Sequence, residues 1–225
     1  MIYGRQFTYL MTCASTASRV IALALLAACS TGHPLTDRNG DGVVSLVCLG
    51  DSNTAAGGPT PSWCDLLRTD LPAWQITNSG AGFSTATDAR RGVQPWFNSR
   101  NQLATVLGGK APDGVVLAYG TNDVMQHKPV AEIVAAYRAR CAEAAAANVR
   151  CWVALTPPFG GTWASYEPAV EELNAALRAV FPPETLIDFF AGIAYPDDYG
   201  VDGIHLGERG QRKRLVVARR ALAGW

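Results

Sequence analysis

The sequence predicts an α/β fold, a three-layer α/β/α sandwich around a doubly wound, five-stranded parallel sheet. Three observations carry this. Five short runs are apolar almost without interruption, as in strands covered on both faces. Helical stripes lie between them, and alternating strands and helices build layered α/β domains. Polar, glycine-flanked clusters begin where runs stop. The first run, 43–49, reads V-V-S-L-V-C-L, and similar runs fall at 73–77, 114–119, 150–156 and 185–189. Thr60-Pro61 reads as a cap and first turn leading to Trp63, Leu66 and Leu67. Pro129 suits a first helical position, which puts Val130, Ile133, Val134, Tyr137, Cys141 and Ala144 on one stripe, with Asn148 as a stop. After Pro168, Val170, Leu173, Leu177 and Val180 form another stripe. A last helix over about 208–222 would bury Leu215, Val216 and Leu222.

Composition bounds the rest. A chain of 225 residues with no internal repeat or linker suggests one domain, perhaps with an extension. Its 48% hydrophobic content supports a sizeable core, and 17% charged residues are too few for a disordered chain. Nineteen basic against nineteen acidic side chains argue against a nucleic-acid partner, which calls for a basic excess. Glycine and proline follow no period, so collagen-like and low-complexity readings fail.

The beginning of the chain reads as an address. Residues 20–28, V-I-A-L-A-L-L-A-A, follow Arg5 and Arg19 and are too short to span a bilayer. A basic start, a short apolar run and a small-residue end match a secretory signal. Leu26-Ala27-Ala28-Cys29 resembles the lipobox of bacterial lipoproteins. That resemblance implies a lipidated Cys29 at the mature N-terminus and a protein anchored to a membrane of the bacterial cell envelope. Ordinary cleavage after a small residue, giving a secreted or periplasmic protein, is the other reading, and Met11 is an alternative start. The expected organisation is a signal peptide over 1–28, a tether over 29–42 and the domain over 43–225. Within the tether, 37–42 (D-R-N-G-D-G) looks like the opening of a calcium loop. Its twelfth position is Cys48 where a bidentate Glu is required, and 43–49 is needed as a strand, so a polar turn is the better reading.

Six cysteines then divide. Cys13 leaves with the signal and Cys29 goes to lipid, leaving Cys48, Cys64, Cys141 and Cys151. An exported protein can oxidise these, and four cysteines allow three pairings. Cys141–Cys151 is the preferred bridge, since it would tie a helix to the strand after it. Four buried thiols acting as small hydrophobes are the alternative.

Doubly wound sheets of the flavodoxin-like kind hold their sites outside the carboxyl ends of the strands. The first strand ends in Gly50-Asp51-Ser52-Asn53, the second in Asn78-Ser79-Gly80-Ala81-Gly82 and the third in Gly120-Thr121-Asn122-Asp123. Asp202-Gly203-Ile204-His205 follows the fifth. A serine hydroxyl is a weak nucleophile until a base takes its proton, and a carboxylate best fixes that base's tautomer. Ser52, His205 and Asp202 supply those roles. An oxyanion hole needs donors preset where charge develops, and the Ser52 and Gly80 N–H groups with the Asn122 amide are suitable.

These four clusters, in this order, resemble the SGNH hydrolases, also called GDSL-type esterases and lipases. The resemblance runs from Val43 to the final helix. It implies Ser52 as nucleophile, Gly80 and Asn122 as oxyanion donors, and His205 with Asp202 as base and orienter. Asn53 departs from the hydrophobic residue that many members carry there. Thr54 stands where G-x-S-x-G would have its second glycine, so an α/β-hydrolase elbow is not supported. Asp51, Asn78, Thr121 and Asp123 read as loop braces, His127 as a surface residue and Asp197-Asp198 as a solvated loop. No His/Cys/carboxylate cluster has metal-ligand spacing, and no cofactor is implied. Arg209, Arg212, Lys213, Arg214, Arg219 and Arg220 on the last helix read as a solvated face that also suits the helix dipole.

The expected activity is ester hydrolysis through an acyl-serine, on short acyl or O-acetyl esters, with a small-molecule or glycan ester as substrate. Trp96, Phe97, Trp163, Tyr166 and Tyr199 are candidates to border the cleft, on sugar rings or acyl chains, or to cover the core. An O-acyltransferase, a lysophospholipase or thioesterase, and a non-catalytic envelope lipoprotein are the rival readings.

Overall fold

The structure is a computed structural model that describes residues 34–55, 60–88 and 98–224. The expected signal 1–28, Cys29, Trp96 and Phe97 lie outside the described residues. Five strands, β1 (Ser45–Gly50), β2 (Gln75–Gly80), β3 (Gly114–Ala118), β4 (Arg150–Ala154) and β5 (Leu186–Ile187), form one sheet in the order β2-β1-β3-β4-β5. Every pairing is parallel. The fold is therefore the α/β class that the apolar runs predict, although each strand is shorter than, or offset from, its run. The 73–77 run shifts most, because Gln75–Gly80 has the register that pairs Gly50 with Gly80.

Strand side chains alternate between two layers, as the pleat requires. Val47, Leu49, Val115, Leu117 and Val153 face one core. It is covered by helices α2 (Ser99–Leu107), α4 (Val130–Ala146) and α5 (Glu167–Val180) through Leu103, Ile133, Tyr137, Leu173 and Leu177. Leu46, Cys48, Val116, Ala118 and Trp152 face the other, covered by α1 (Trp63–Asp70) and α6 (Glu208–Ala223). A five-residue helix, α3 (Thr121–Met125), lies between α2 and α4 in the chain. Among the described residues no helix is long and apolar enough to cross a membrane.

Local chemistry moves some boundaries. Helix α1 is capped by Ser62 and not by Thr60: its hydroxyl accepts from the Asp65 N–H while Asp65 reaches back to the Ser62 N–H, a capping box. Pro129 sits one residue before α4. Asn148 ends that helix at φ 59°, a conformation asparagine tolerates better than most. Val216 and Val180, expected inside, are exposed.

Cys141 and Cys151 are bonded, joining α4 to β4, and Cys48 and Cys64 are bonded as well, joining β1 to α1. Each helical layer is thus stapled once to the sheet. Residues 34–42 of the expected tether lie against the domain. Leu35 enters the second core and its N–H donates to the Leu222 carbonyl. The 37–42 segment is a turn closed on itself, Asp37 accepting from the Gly40 and Gly42 N–H groups.

Candidate active site

The order β2-β1-β3 makes β1 and β3 the strands at which crossovers part to either side, where doubly wound sheets open a crevice. Residues after β1 turn at once, since the Thr54 and Ala55 N–H groups both donate to the Asp51 carbonyl. That turn presents the Ser52 hydroxyl to Nε2 of His205 at 2.8 Å. Nδ1 of the same ring faces Asp202 Oδ2 at 2.6 Å. Asp202 Oδ1 accepts the Ile204 and His205 N–H groups, each at 2.9 Å, so one carboxylate shapes the turn and orients the ring. Burial pushes the Asp202 carboxyl up, but the hydrogen bonds from the His205 side chain and the two N–H groups prevail and hold it below its ordinary 3.8. An ionised acceptor on Nδ1 leaves Nε2 free to take a proton from Ser52.

Gly80 lies against the Ser52 turn. A Cβ there would come within 2.5 Å of the Ala55 nitrogen, so only glycine lets the two backbones approach. Its N–H donates to Asn78 Oδ1 at 3.0 Å, and Asn78 Nδ2 reaches the Thr54 carbonyl and the Ser62 hydroxyl. Asn122 Nδ2 donates to the Ser84 carbonyl at 2.8 Å and keeps a second amide hydrogen for another acceptor. Gly120, at φ 112°, makes the turn out of β3 that starts α3, and a side chain there would strike Thr156. Asp123 accepts the Ala86 and Thr87 N–H groups and the Thr87 hydroxyl, fixing the loop after β2 beside α3. Burial nevertheless raises its pKa.

Two charged residues behave differently from the sequence reading. Arg214, expected on a solvated face, is buried; its guanidinium lies 4.2 Å from the Phe189 ring centroid and donates to the Asn53 carbonyl at 3.1 Å. Burial pushes it down to about 10, against the attraction of Asp51. Asp198, expected in a solvated loop, is also buried, accepting from the Ala194 N–H and paired with Lys213 and Arg209. The signal for Arg214 was its place on the stripe Gly210, Gln211, Arg214, Ala218 and Leu222. Tyr199 is likewise interior, its hydroxyl donating to the Pro158 carbonyl. Trp163, Tyr166, Phe159 and His127 form one ring group, His127 stacked on Tyr166 and the Phe159 and Trp163 rings tilted against it. The Gly160 N–H, donating to the Gly203 carbonyl at 2.8 Å, joins that group's loop to the loop of His205.

Asp51 is buried beneath Ser52, where desolvation raises its pKa against the Asn53 N–H bond and the Arg214 charge. Arg214→Met should therefore lower stability by about 2–4 kcal/mol, from a charged hydrogen bond and a desolvated cation–π contact. A native carboxyl with a raised pKa holds its proton longer than the unfolded chain does, so stability falls as pH rises above 3.8 towards the native value. Removing the Arg214 charge raises that value further, so the difference in melting temperature from wild type should widen as pH rises above 3.8. A constant difference across that range would refute the coupling.

The model of the GDSL-like Lipase/Acylhydrolase family matches residues 48–213. Curated proteins give no match to the sequence. Among solved structures, a carbohydrate acetylesterase from Sinorhizobium meliloti is similar at TM-score 0.68 and 18% identity, covering 81% of this chain and 100% of that one. A member of the lipolytic protein G-D-S-L family from Veillonella parvula aligns at TM-score 0.64 and 19% identity, over 81% and 100%. An aryl esterase from M. smegmatis aligns at 0.61 and 19%, over 77% and 95%. These likenesses concern the fold.

Proposed function

Because the chain belongs to the GDSL-like lipase/acylhydrolase family and is an ester-hydrolysing enzyme, we propose that it cleaves short-chain or O-acetyl esters, carbohydrate esters included, through an acyl-Ser52 intermediate. The observation that carries this is the continuous chain from Ser52 through His205 to Asp202, at 2.8 and 2.6 Å. Ser52 Oγ attacks the ester carbonyl as His205 Nε2 takes its proton. The oxyanion is held by the Ser52 N–H, the Gly80 N–H and the second amide hydrogen of Asn122. Gly80 shares or exchanges its bond to Asn78 when that charge forms. Collapse breaks the bond to the alcohol, which leaves with the proton from His205. Water, deprotonated by the same nitrogen, then attacks the acyl-serine, and Ser52 recovers its proton as the acid departs.

Short acyl groups are favoured because the similar structures include proteins described as a carbohydrate acetylesterase and an aryl esterase. The Cys29 motif supports export and anchoring to the cell envelope, and the two disulfides fit an oxidising compartment.

A panel of nitrophenyl esters from acetyl to palmitoyl, with O-acetylated glycans, tests the reading. The highest kcat/KM is expected on acetyl esters, and a nitrophenyl phosphonate should phosphonylate Ser52 with release of nitrophenol, adding the phosphonyl mass to the peptide that contains it. Preference for palmitoyl, or labelling elsewhere, overturns it. Acyl transfer to an added alcohol in preference to water would make the enzyme a transferase.

A further inference from the structure

We propose that Asn53 is a positioning residue that locks the base to the nucleophile by clamping the backbone on both sides of His205; this rests on the serine-esterase reading. Asn53 departs from the hydrophobic residue expected after Ser52, and its side chain is buried. Its Nδ2 donates to the Ile204 carbonyl at 3.2 Å, and its Oδ1 accepts from the Leu206 N–H at 3.1 Å. A carboxamide offers a donor and an acceptor at one end, and this orientation satisfies both partners. A leucine of similar shape satisfies neither.

The loop of His205 shapes itself. Asp202 Oδ1 holds the Ile204 and His205 N–H groups, and the Gly200 N–H donates to the His205 carbonyl at 2.8 Å. Those bonds fix the ring against Asp202 but say nothing of where Ser52 lies, since the hydroxyl and the ring come from positions 153 residues apart. Among the described residues, the two Asn53 bonds are the only hydrogen bonds besides Ser52–His205 itself that join the turn after β1 to residues 202–206. Asn53 is in turn held through its own backbone. Its N–H donates to Asp51 Oδ1 at 2.9 Å, and its carbonyl accepts from Gln211 Nε2 and Arg214. The pair is thus placed by a residue that touches neither reacting atom.

Displacement of a reacting group by about 1 Å can cost 10²-fold in rate. Asn53→Leu should therefore slow acylation of Ser52, measured by pre-steady-state release of nitrophenol from its acetate, by about 10²-fold. The substrate concentration that half-saturates the acylation rate should stay within about twofold, since loss of an interaction made only in the transition state lowers the limiting rate and not binding. The downfield proton resonance of His205 Nδ1–H against Asp202 should persist, because the bonds within its own turn remain. Asn53→Asp keeps the acceptor for Leu206 and loses the donor to Ile204, so an intermediate rate is expected. It carries the same test if Asn53→Leu does not fold. Acylation at the wild-type rate, a rise in that half-saturating concentration at an unchanged limiting rate, or loss of the His205 resonance together with the rate would each overturn the clamp. A wild-type protein that hydrolyses no ester overturns the esterase reading instead. Phosphonate labelling of Ser52 then reads the clamp without turnover: slower labelling of Asn53→Leu than of wild type supports it, and equal labelling overturns it.

Discussion

Ser52→Ala should lower kcat on nitrophenyl acetate by roughly 10⁴–10⁶-fold, the range lost when a triad nucleophile is removed. What remains should be a modest acceleration over water, since oxyanion donors and substrate binding survive without the nucleophile. The fold should not notice. The hydroxyl bonds to His205 and to no other described residue, so its removal should change stability by less than about 0.5 kcal/mol, the usual scale of a surface change. Paired kcat and thermal-unfolding measurements separate the two effects. A variant that keeps most of its turnover would remove Ser52 from the chemistry altogether.

Asp202→Asn should lower kcat by roughly 10³–10⁴-fold at neutral pH, for a reason of tautomers and not of shape. The Asn oxygen can keep the Ile204 and His205 N–H bonds that Asp202 Oδ1 now accepts. Its nitrogen then faces Nδ1 as a donor and forces the ring proton onto Nε2. There it points at Ser52 and cannot receive a proton. Folding stability supplies a second reading. Asp202 titrates below its ordinary 3.8, so its contribution is complete above that value and is lost as pH falls through the lower native one. The gap in melting temperature between wild type and Asp202→Asn should be steady at neutral pH and close below about pH 4. A gap that grows on acidification would contradict the depressed carboxyl.

The strands and their polar ends were legible because burial on both faces leaves a continuous apolar run, and because a strand must stop where such residues end. Helix α2 was not legible. Its first residues are Ser99, Arg100, Asn101 and Gln102, and Leu103 is the one apolar side chain of the helix that is fully buried. Its start is marked by Asn98, whose side chain caps it by accepting from the Asn101 N–H. The Cys48–Cys64 bridge is the pair that a Cys141–Cys151 bridge leaves over, but that the two thiols meet rests on the packing of α1 on β1. Arg214 and Asp198 were misread because sequence records a charge but not its direction. Asn53 stood out as a departure from a pattern, while its partners at 204 and 206 become visible only once the loop is folded back on β1.

The dependence of the Ser52 turn on α6 sets a timetable for biosynthesis. Gln211 and Arg214, which hold the Asn53 carbonyl, follow Asn53 by 158 and 161 residues. At about 5–20 residues per second, a ribosome emits them roughly 8–30 s after the serine. Through that interval the nascent chain carries a hydroxyl without its base and a loop without its support. The Ser52–His205 contact cannot form until the 153 residues from Asn53 to His205, and the α6 residues that hold the Asn53 carbonyl, have been made.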